Sequence, residues 1–249
     1  YDARTQASGA IDGREMAPRG ASKSMYVENG KVIEGYRVGP LSAGVPGLVK
    51  MLHHLYLTKG SGKLSWNDLV QPARKLAEYG CVVRAPLARA IKKHSQKLAR
   101  YPASRKIFMP GGKPLREGDR LVQLDLAHTL QTIAAEGADG FYGGWVAEEI
   151  AKSNTAAGGV IRSMDLASYR IQARTPIEGS YRGLKVISMP PPSSGGVHLV
   201  EMLNMLSHHD LAGMGWHSTR HLHVLAESMR RAFADRAEYM ADADFVEVP

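Results

Sequence analysis

One heptad, Pro190–Gly196, constrains the fold of this chain more than any other segment. Its three prolines fix the backbone and its two glycines allow another segment to approach closely. The residues before it, Thr175–Met189, turn at Tyr181–Gly183 and predict a β-hairpin. The residues after it, Val197–Leu206, have apolar side chains at helical spacing. The heptad therefore predicts an abrupt change from hairpin to helix.

The function of this turn has two interpretations. Free N–H groups at the start of the following helix are suited to bind an anion. A structural turn packed under a neighbouring strand is the alternative. The segment does not match the Gly-x-Ser-x-Gly nucleophile elbow, because Ser193 and Gly195 flank Ser194.

The rest of the chain is rich in predicted helices and poor in strands. A hairpin turn is expected at Asn29–Gly30, and an extended segment lies within residues 6–17. Apolar side chains at helical spacing predict six further helices: one that begins near Leu48, and others over Trp66–Tyr79, Arg84–Leu98, about Leu121–Glu136, about Trp145–Ser153 and His217–Met240. For the helix over Trp66–Tyr79, Ser65 is the expected N-cap and Asp68 completes a capping box. This pattern indicates an α/β or α+β protein. The few strands suggest that part of the domain lies elsewhere.

Composition is that of a globular protein, with 44% hydrophobic and 22% charged residues. We expect a single domain over residues 1–249. No apolar run approaches the length of a membrane span. Residues 1–4 lack the pattern of a signal peptide, so none is expected in this chain.

The net charge of +8 requires a test of nucleic-acid binding. The densest basic cluster lies within Lys92–Lys106, without the stacking aromatics of a single-strand platform. A solvated face is therefore favoured. A basic nucleic-acid- or anion-binding module remains the alternative of another class.

Metal and thiol chemistry find little support in the sequence. The single cysteine, Cys81, excludes an internal disulfide and a cysteine zinc cage, and we expect it to be a small buried residue. His217 and His221 share a helix face without a third ligand, so we expect exposed histidines and no metal. Asp244 and its neighbouring carboxylates are expected to form helical ion pairs with nearby arginines.

Arg14 is the candidate binding residue, between Asp12 and Glu15 in a loop. A guanidinium grips a carboxylate with two parallel hydrogen bonds, and neighbouring acids can orient it. The alternative is a surface arginine paired with its neighbours, which the chemistry alone favours.

Three segments together resemble the γ-glutamyltranspeptidase (glutathione hydrolase) family: Ile11–Pro18, Met189–His198 and Ala226–Pro249. Shorter matches at Gly44–Gly47 and Gly140–Gly144 follow in the same order. The resemblance implies an N-terminal-nucleophile hydrolase with a four-layer αββα sandwich, of which this chain supplies an incomplete, helix-rich part. It also implies an enzyme made of two subunits from one self-cleaving precursor.

The resemblance assigns roles to few residues of this chain. It implies that Arg14 binds the α-carboxylate of the γ-glutamyl group, with Asp12 and Glu15 as supporting residues. Gly13 stands where relatives often have a bulkier residue. The nucleophilic threonine belongs to the small subunit, so no catalytic residue is expected in this chain, which starts at Tyr1 and should be inactive alone.

The resemblance also implies the partners. They are the small subunit, glutathione or other γ-glutamyl compounds as donors, and water, amino acids or peptides as acceptors, with no cofactor and no nucleic acid. A periplasmic or secreted location is expected from the family. Within the enzyme class, a cephalosporin or β-lactam acylase-like relative is the alternative.

Overall fold

The computed structural model describes residues 1–248. The helices are α1 (Leu48–Lys59), α2 (Trp66–Tyr79), α3 (Ala85–Lys93), α4 (Ser95–Ala99), α5 (Pro102–Phe108), α6 (Leu124–Glu136), α7 (Asp139–Tyr142), α8 (Gly144–Ala156), α9 (Ser163–Ser168), α10 (Ser194–Ser207) and α11 (Thr219–Tyr239). The strands are β1 (Ala10–Asp12), β2 (Val27–Glu28), β3 (Lys31–Val32), β4 (Cys81–Val82), β5 (Arg120–Leu121), β6 (Gln172–Arg174), β7 (Ile177–Tyr181) and β8 (Leu184–Ser188).

The chain forms two compact units. The first contains Tyr1–Asp12 and the chain from Gln172 onward, and the second contains Gly13–Ile171. The single domain predicted over residues 1–249 stays a prediction.

In the first unit, β1 pairs antiparallel with β6, and β7 and β8 form the predicted hairpin. The hairpin packs on α10, which packs on α11. Gly179 of β7 faces Val200 of α10 so closely that a Cβ would collide with the valine. The strand and the helix therefore approach through a position without a side chain.

The heptad forms the predicted turn between β8 and α10. The helix begins at Ser194, three residues earlier than expected from the apolar pattern. Gly196 in its first turn lies against the carbonyl oxygen of Met189, where a Cβ would not fit. Small residues let the helix begin directly beside the end of the hairpin.

The second unit has two cores. Val45, Ala138, Tyr142, Ala147, Ile161, Leu166 and Tyr169 form the first. Val83, Ile91, Leu115 and Leu121 form the second. Helices α2 and α6 pack together, and the nitrogen Nε1 of Trp66 donates a hydrogen bond to the carbonyl oxygen of Ile133 over 2.8 Å.

Two local predictions in this unit are confirmed. The chain turns at Asn29–Gly30 between β2 and β3. The hydroxyl of Ser65 accepts a hydrogen bond from the N–H of Asp68 at 3.1 Å, and the Asp68 carboxylate accepts one from the N–H of Ser65 at 3.2 Å. This reciprocal pair is the predicted capping box of α2.

The single helix predicted over Arg84–Leu98 is wrong. The chain leaves helical geometry at His94, which separates α3 from α4. Ile91 of α3 belongs to the second core, and Leu98 of α4 packs against the same core. The break lets two short helices on different axes cover one small core.

Two burial predictions are also wrong. Cys81 is exposed, because the core begins at Val83 and the strand before it lies outside. His221 is buried, whereas His217 is exposed as predicted. His221 lies on the same stripe of α11 as the buried Ser228 and Ala232, so it faces inward.

No helix within residues 1–248 has the length and apolar character needed to cross a lipid bilayer. Over the same residues, no three His, Cys, Asp or Glu side chains are grouped in a way that would hold a metal ion.

Candidate functional site

Arg14 lies two residues after β1, on the loop that leads into the second unit. Its side chain is 54% exposed, and its Nε atom is 3.8 Å from a carboxylate oxygen of the exposed Glu15. An exposed pair at this distance contributes little to stability. The structure therefore brings Arg14 and Glu15 together at the surface, with about half of the Arg14 side chain exposed.

A hydrogen bond from a buried residue holds the main chain at Arg14. The hydroxyl of Tyr169 donates a hydrogen bond to the carbonyl oxygen of Arg14 over 2.7 Å. Tyr169 is only 2% exposed and belongs to the first core of this unit. The exposed side chain of Arg14 thus extends from a backbone that is anchored to the protein interior.

A second contact holds the loop two residues further along the chain, at Met16. The N–H of Met16 donates to the carbonyl oxygen of Val45 at 3.1 Å, and the N–H of Val45 donates to the carbonyl oxygen of Met16 at 2.8 Å. Val45 is buried in the same core as Tyr169. The backbone on both sides of Glu15 is therefore tied to one core.

Two glycines make this packing possible. A Cβ at Gly47 would collide with the Tyr169 hydroxyl and with the carbonyl oxygen of Gly13. A Cβ at Gly13 would collide with the side chain of Met51, at 2.5 Å from its Cβ. A bulkier residue at position 13 thus requires a different arrangement at position 51.

Tyr142 supports the neighbouring segment. Its hydroxyl donates to the carbonyl oxygen of Pro46 at 2.7 Å and accepts from the N–H of Lys50 at 3.3 Å. Its ring stacks on that of Tyr169, with centroids 5.5 Å apart. Burial raises the pKa of Tyr142 to about 12, and the hydrogen bond from Lys50 offsets part of that increase.

Asp12 belongs to the first unit and binds a different arginine. One of its carboxylate oxygens accepts a hydrogen bond from the Nε atom of Arg174 at 2.9 Å. The two side chains are 11% and 13% exposed. The roles of Asp12 and Glu15 in orienting Arg14 stay predictions.

Arg174 also binds Asp244, through two hydrogen bonds of 3.0 and 2.9 Å. These bonds to Asp244, followed by the bond to Asp12, raise the pKa of Arg174 above its usual value, against the opposing effect of burial. The prediction that Asp244 pairs with arginines of the long helix is wrong. The carboxylate lies beyond the end of α11 and contacts the strand β6 instead.

The sequence does not reveal Tyr169, Tyr142 or Arg174 as supporting residues. Tyr169 is 155 positions from Arg14, and no local pattern connects them. Two short family segments give a signal: Gly44–Gly47, whose glycine at position 47 marks a close approach, and Gly140–Gly144, which contains Tyr142.

The heptad borders a groove of about 430 Å³ in the first unit. Its lining includes Pro192 and Ser194 of the heptad, Phe233 and Arg236 of α11, and Met240, which directly follows that helix. Anion binding at this helix start stays a prediction.

Comparison with known proteins explains the combination of these features. The model of the gamma-glutamyltranspeptidase family matches residues 1–249. Glutathione hydrolase proenzyme of Escherichia coli is 44% identical over 96% of this chain, which spans 42% of that relative. Acylase ACY 1 proenzyme of a Pseudomonas species is 43% identical over 96% of this chain, which spans 44% of it. The chain therefore spans less than half the length of these relatives.

The fold has solved counterparts. The crystal structure of Helicobacter pylori gamma-glutamyltranspeptidase superposes with a TM-score of 0.93 at 44% identity, over 97% of this chain and 69% of that one. The predicted fold class, an incomplete and helix-rich part of an N-terminal-nucleophile hydrolase αββα sandwich, is confirmed. The chain belongs to the gamma-glutamyltranspeptidase family.

Proposed function

We propose that this chain is the large-subunit part of an enzyme that cleaves γ-glutamyl amides and transfers the γ-glutamyl group to water or an amino acid. Glutathione and related γ-glutamyl compounds are the proposed donors. The proposal rests on membership of the family and on a relative at 44% identity named glutathione hydrolase. The complete enzyme is the processed full-length protein, which contains this chain and the proposed small subunit.

The chemistry of the reaction requires a nucleophile that this chain does not supply. In the proposed mechanism, an N-terminal threonine of the small subunit attacks the γ-glutamyl carbonyl, and its own amine accepts the proton. The C–N bond of the donor amide breaks, the departing amine of the donor takes that proton, and the γ-glutamyl group remains on the threonine oxygen as an acyl-enzyme. Water or an amino acid then attacks the acyl carbon and releases the threonine.

The role of this chain is to hold the donor. We assign Arg14 to the α-carboxylate of the γ-glutamyl group, and the observation that carries this assignment is the accessible guanidinium on a fixed backbone. Two parallel hydrogen bonds to a carboxylate would orient the donor as well as bind it. Tyr169 and the contact between Met16 and Val45 limit how far that guanidinium can shift, which is what positioning a scissile bond requires.

An acylase is the second candidate, because a relative named as an acylase proenzyme is almost as similar as the glutathione hydrolase. The two differ in the acyl group that they accept. A glutaryl anilide keeps the carboxylate of the donor and lacks its α-amine. Rapid turnover of this compound, with slow turnover of γ-glutamyl anilide, would favour the acylase.

The test of Arg14 compares two donors on two variants of the complete enzyme. The Arg14→Lys variant keeps the charge and loses the planar fork, so kcat/KM for γ-glutamyl anilide should fall at least ~10-fold. The 4-aminobutyryl anilide lacks the α-carboxylate, so its slow turnover should not change. The exposed Arg19, in the same segment, provides the control Arg19→Lys, for which both rates should be retained.

Comparing the two donors separates loss of the contact between Arg14 and the α-carboxylate from a general loss of enzyme activity. An equal loss of rate for both donors in Arg14→Lys would show that the guanidinium does not bind this carboxylate. Self-cleavage of the precursor should proceed in both variants, since it does not involve the donor.

We also propose a periplasmic or secreted location, which rests on the family alone. Fractionation of the native host against periplasmic and cytosolic marker enzymes tests it. Recovery of the mature protein with the cytosolic marker would contradict it.

A further inference from the structure

The positive charge of this chain is concentrated in one segment of the second unit. Residues 81–121, here called the basic lobe, contain eleven lysines and arginines against two carboxylates, a net charge of +9. The whole chain has a net charge of +8, so the remaining residues are nearly neutral. The basic lobe therefore accounts for the basic character of the protein.

The lobe displays this charge at its surface. Its core is the small cluster around Val83 and Ile91, which α3, α4 and α5 cover. All eleven cations are exposed: Arg84, Arg89, Lys92, Lys93, Lys97, Arg100, Arg105, Lys106, Lys113, Arg116 and Arg120. The core of the lobe is small, so the helices and loops around it carry all eleven cations at the surface.

Few of these charges are neutralised within the protein. Among residues 1–248, only Arg100 of the eleven has a carboxylate within 4.0 Å, that of Glu34 at 3.6 Å. Arg120 donates to the carbonyl oxygens of Tyr79 and Gly80. Repulsion between unpaired cations destabilises the folded state, and an anionic partner would relieve it.

A groove in the lobe has the composition of a headgroup site. It has a volume of about 480 Å³, and its lining includes Arg105, Lys106 and the glycines Gly111 and Gly112. The two glycines have positive φ, 64° and 80°, and contribute backbone without a side chain. Pro102 and Met109 complete the lining with apolar surface. Two cations beside apolar surface fit a phosphate that is attached to a glycerol backbone.

The shape of the lobe favours a lipid surface over a nucleic acid. Its two aromatic residues, Tyr101 and Phe108, are half-buried and offer no platform for stacked bases. An anionic bilayer requires only several cations near its surface and a few apolar side chains, which the exposed Val82 and Leu87 supply.

We propose that the basic lobe docks on the phosphate headgroups of an anionic lipid bilayer, and that the groove beside Arg105 and Lys106 takes one headgroup. We identify the binding partner as an anionic bilayer because its negative charge is complementary to the positive charge of the basic lobe. The lobe would hold the enzyme at a membrane surface without a membrane-spanning segment in this part of the chain.

The test is co-sedimentation of the complete enzyme with lipid vesicles. The protein should sediment with vesicles that contain phosphatidylglycerol and remain in the supernatant with pure phosphatidylcholine. A variant with Lys92, Lys93, Arg105 and Lys106 changed to glutamine should bind at least ~10-fold more weakly, since each removed cation loses its attraction to the anionic surface. Raising the salt concentration should weaken binding of the native protein in the same way.

A matched control changes the same number of charges elsewhere in the second unit. Lys23, Lys31, Lys63 and Lys75 are exposed and lie outside the lobe, so their change to glutamine should leave binding within about twofold of the native protein. Circular dichroism and γ-glutamyl anilide turnover report whether each variant is folded. Equal losses in both variants would mean that net charge alone causes adsorption. Tighter binding to random duplex DNA than to the anionic vesicles would replace the lipid with a nucleic acid.

Discussion

Tyr169 donates its hydroxyl hydrogen to the carbonyl oxygen of Arg14 across 2.7 Å, and so joins the loop of Arg14 to a buried aromatic ring. We expect Tyr169→Phe to remove that bond with little change in packing. The Arg14 carbonyl then loses this hydrogen bond, a change that costs about 0.5–1.5 kcal/mol. In the complete enzyme, the KM for γ-glutamyl anilide should rise several-fold while kcat changes less, because the loop positions the donor rather than the nucleophile.

A matched control exists in the same unit. The hydroxyl of Tyr26 donates to the carbonyl oxygen of Leu41 at 2.9 Å, in a segment that does not contain Arg14. Tyr26→Phe should lower the thermal midpoint and leave KM unchanged. If both variants change KM by the same factor, the bond from Tyr169 has only a structural role.

The sequence predicts local features of this protein well. The capping box of α2, the turn at Asn29–Gly30 and the β7–β8 hairpin depend on residues within a few positions of one another. Arg14 could be named as a candidate because its motif is contiguous, and its role stays a prediction. Each of these signals is complete within one short stretch of chain.

Features that depend on distant contacts could not be predicted in this way. Asp12 and Arg174 are 162 positions apart, and their ion pair follows from the pairing of β1 with β6. The burial of His221 and the exposure of Cys81 depend on where the cores form, which local hydrophobicity does not determine. Contiguous motifs therefore identify a candidate binding residue from the sequence, whereas the contacts that support it appear only in the structure.

The ion pairs of Arg174 should stabilise the fold more than the surface pairs do. Arg174→Met removes the guanidinium from the mostly buried Asp12, and breaking a buried pair in this way costs about 3–5 kcal/mol. We expect a thermal midpoint lower by at least about 6 °C for a protein of this size. Differential scanning calorimetry of the complete enzyme provides the measurement.

A double variant separates the ion pair from the loss of packing. In Arg174→Met/Asp12→Asn, part of the stability should return relative to Arg174→Met alone, since the carboxylate is no longer charged. Arg230→Met, which breaks an exposed pair with Glu227 on α11, should leave the midpoint unchanged. Additive losses in the double variant would contradict a direct interaction between Asp12 and Arg174.

Cys81 should be dispensable. Its side chain is exposed in β4, next to no group that would act as a base, so Cys81→Ser should retain both activity and thermal midpoint. Val83, two residues on, is fully buried in the second core, and Val83→Ala should destabilise the protein by at least about 1 kcal/mol. A large loss of activity in Cys81→Ser at unchanged stability would give the thiol a catalytic role.

Because Tyr142 is buried, we expect the stability of the protein to fall at alkaline pH. Burial raises its pKa to about 12 in the folded protein, whereas tyrosine in the unfolded chain titrates near pH ~10. Between these values the unfolded state releases the proton and the folded state keeps it, so the unfolded state binds fewer protons. The free energy of unfolding must therefore fall as pH rises through this interval. The contribution of Tyr142 is fully present below about pH 10 and is lost as the pH approaches about 12.

The variant Tyr142→Phe isolates this contribution. At pH 8 it should be less stable than the native protein, because the hydrogen bond to the Pro46 carbonyl is lost. Above about pH 10 the difference in the free energy of unfolding should shrink, since only the native protein carries this titrating group. Urea unfolding at a series of pH values measures the difference. A constant difference for Tyr142→Phe from pH 8 to 11 would show that burial of this hydroxyl does not hold its proton.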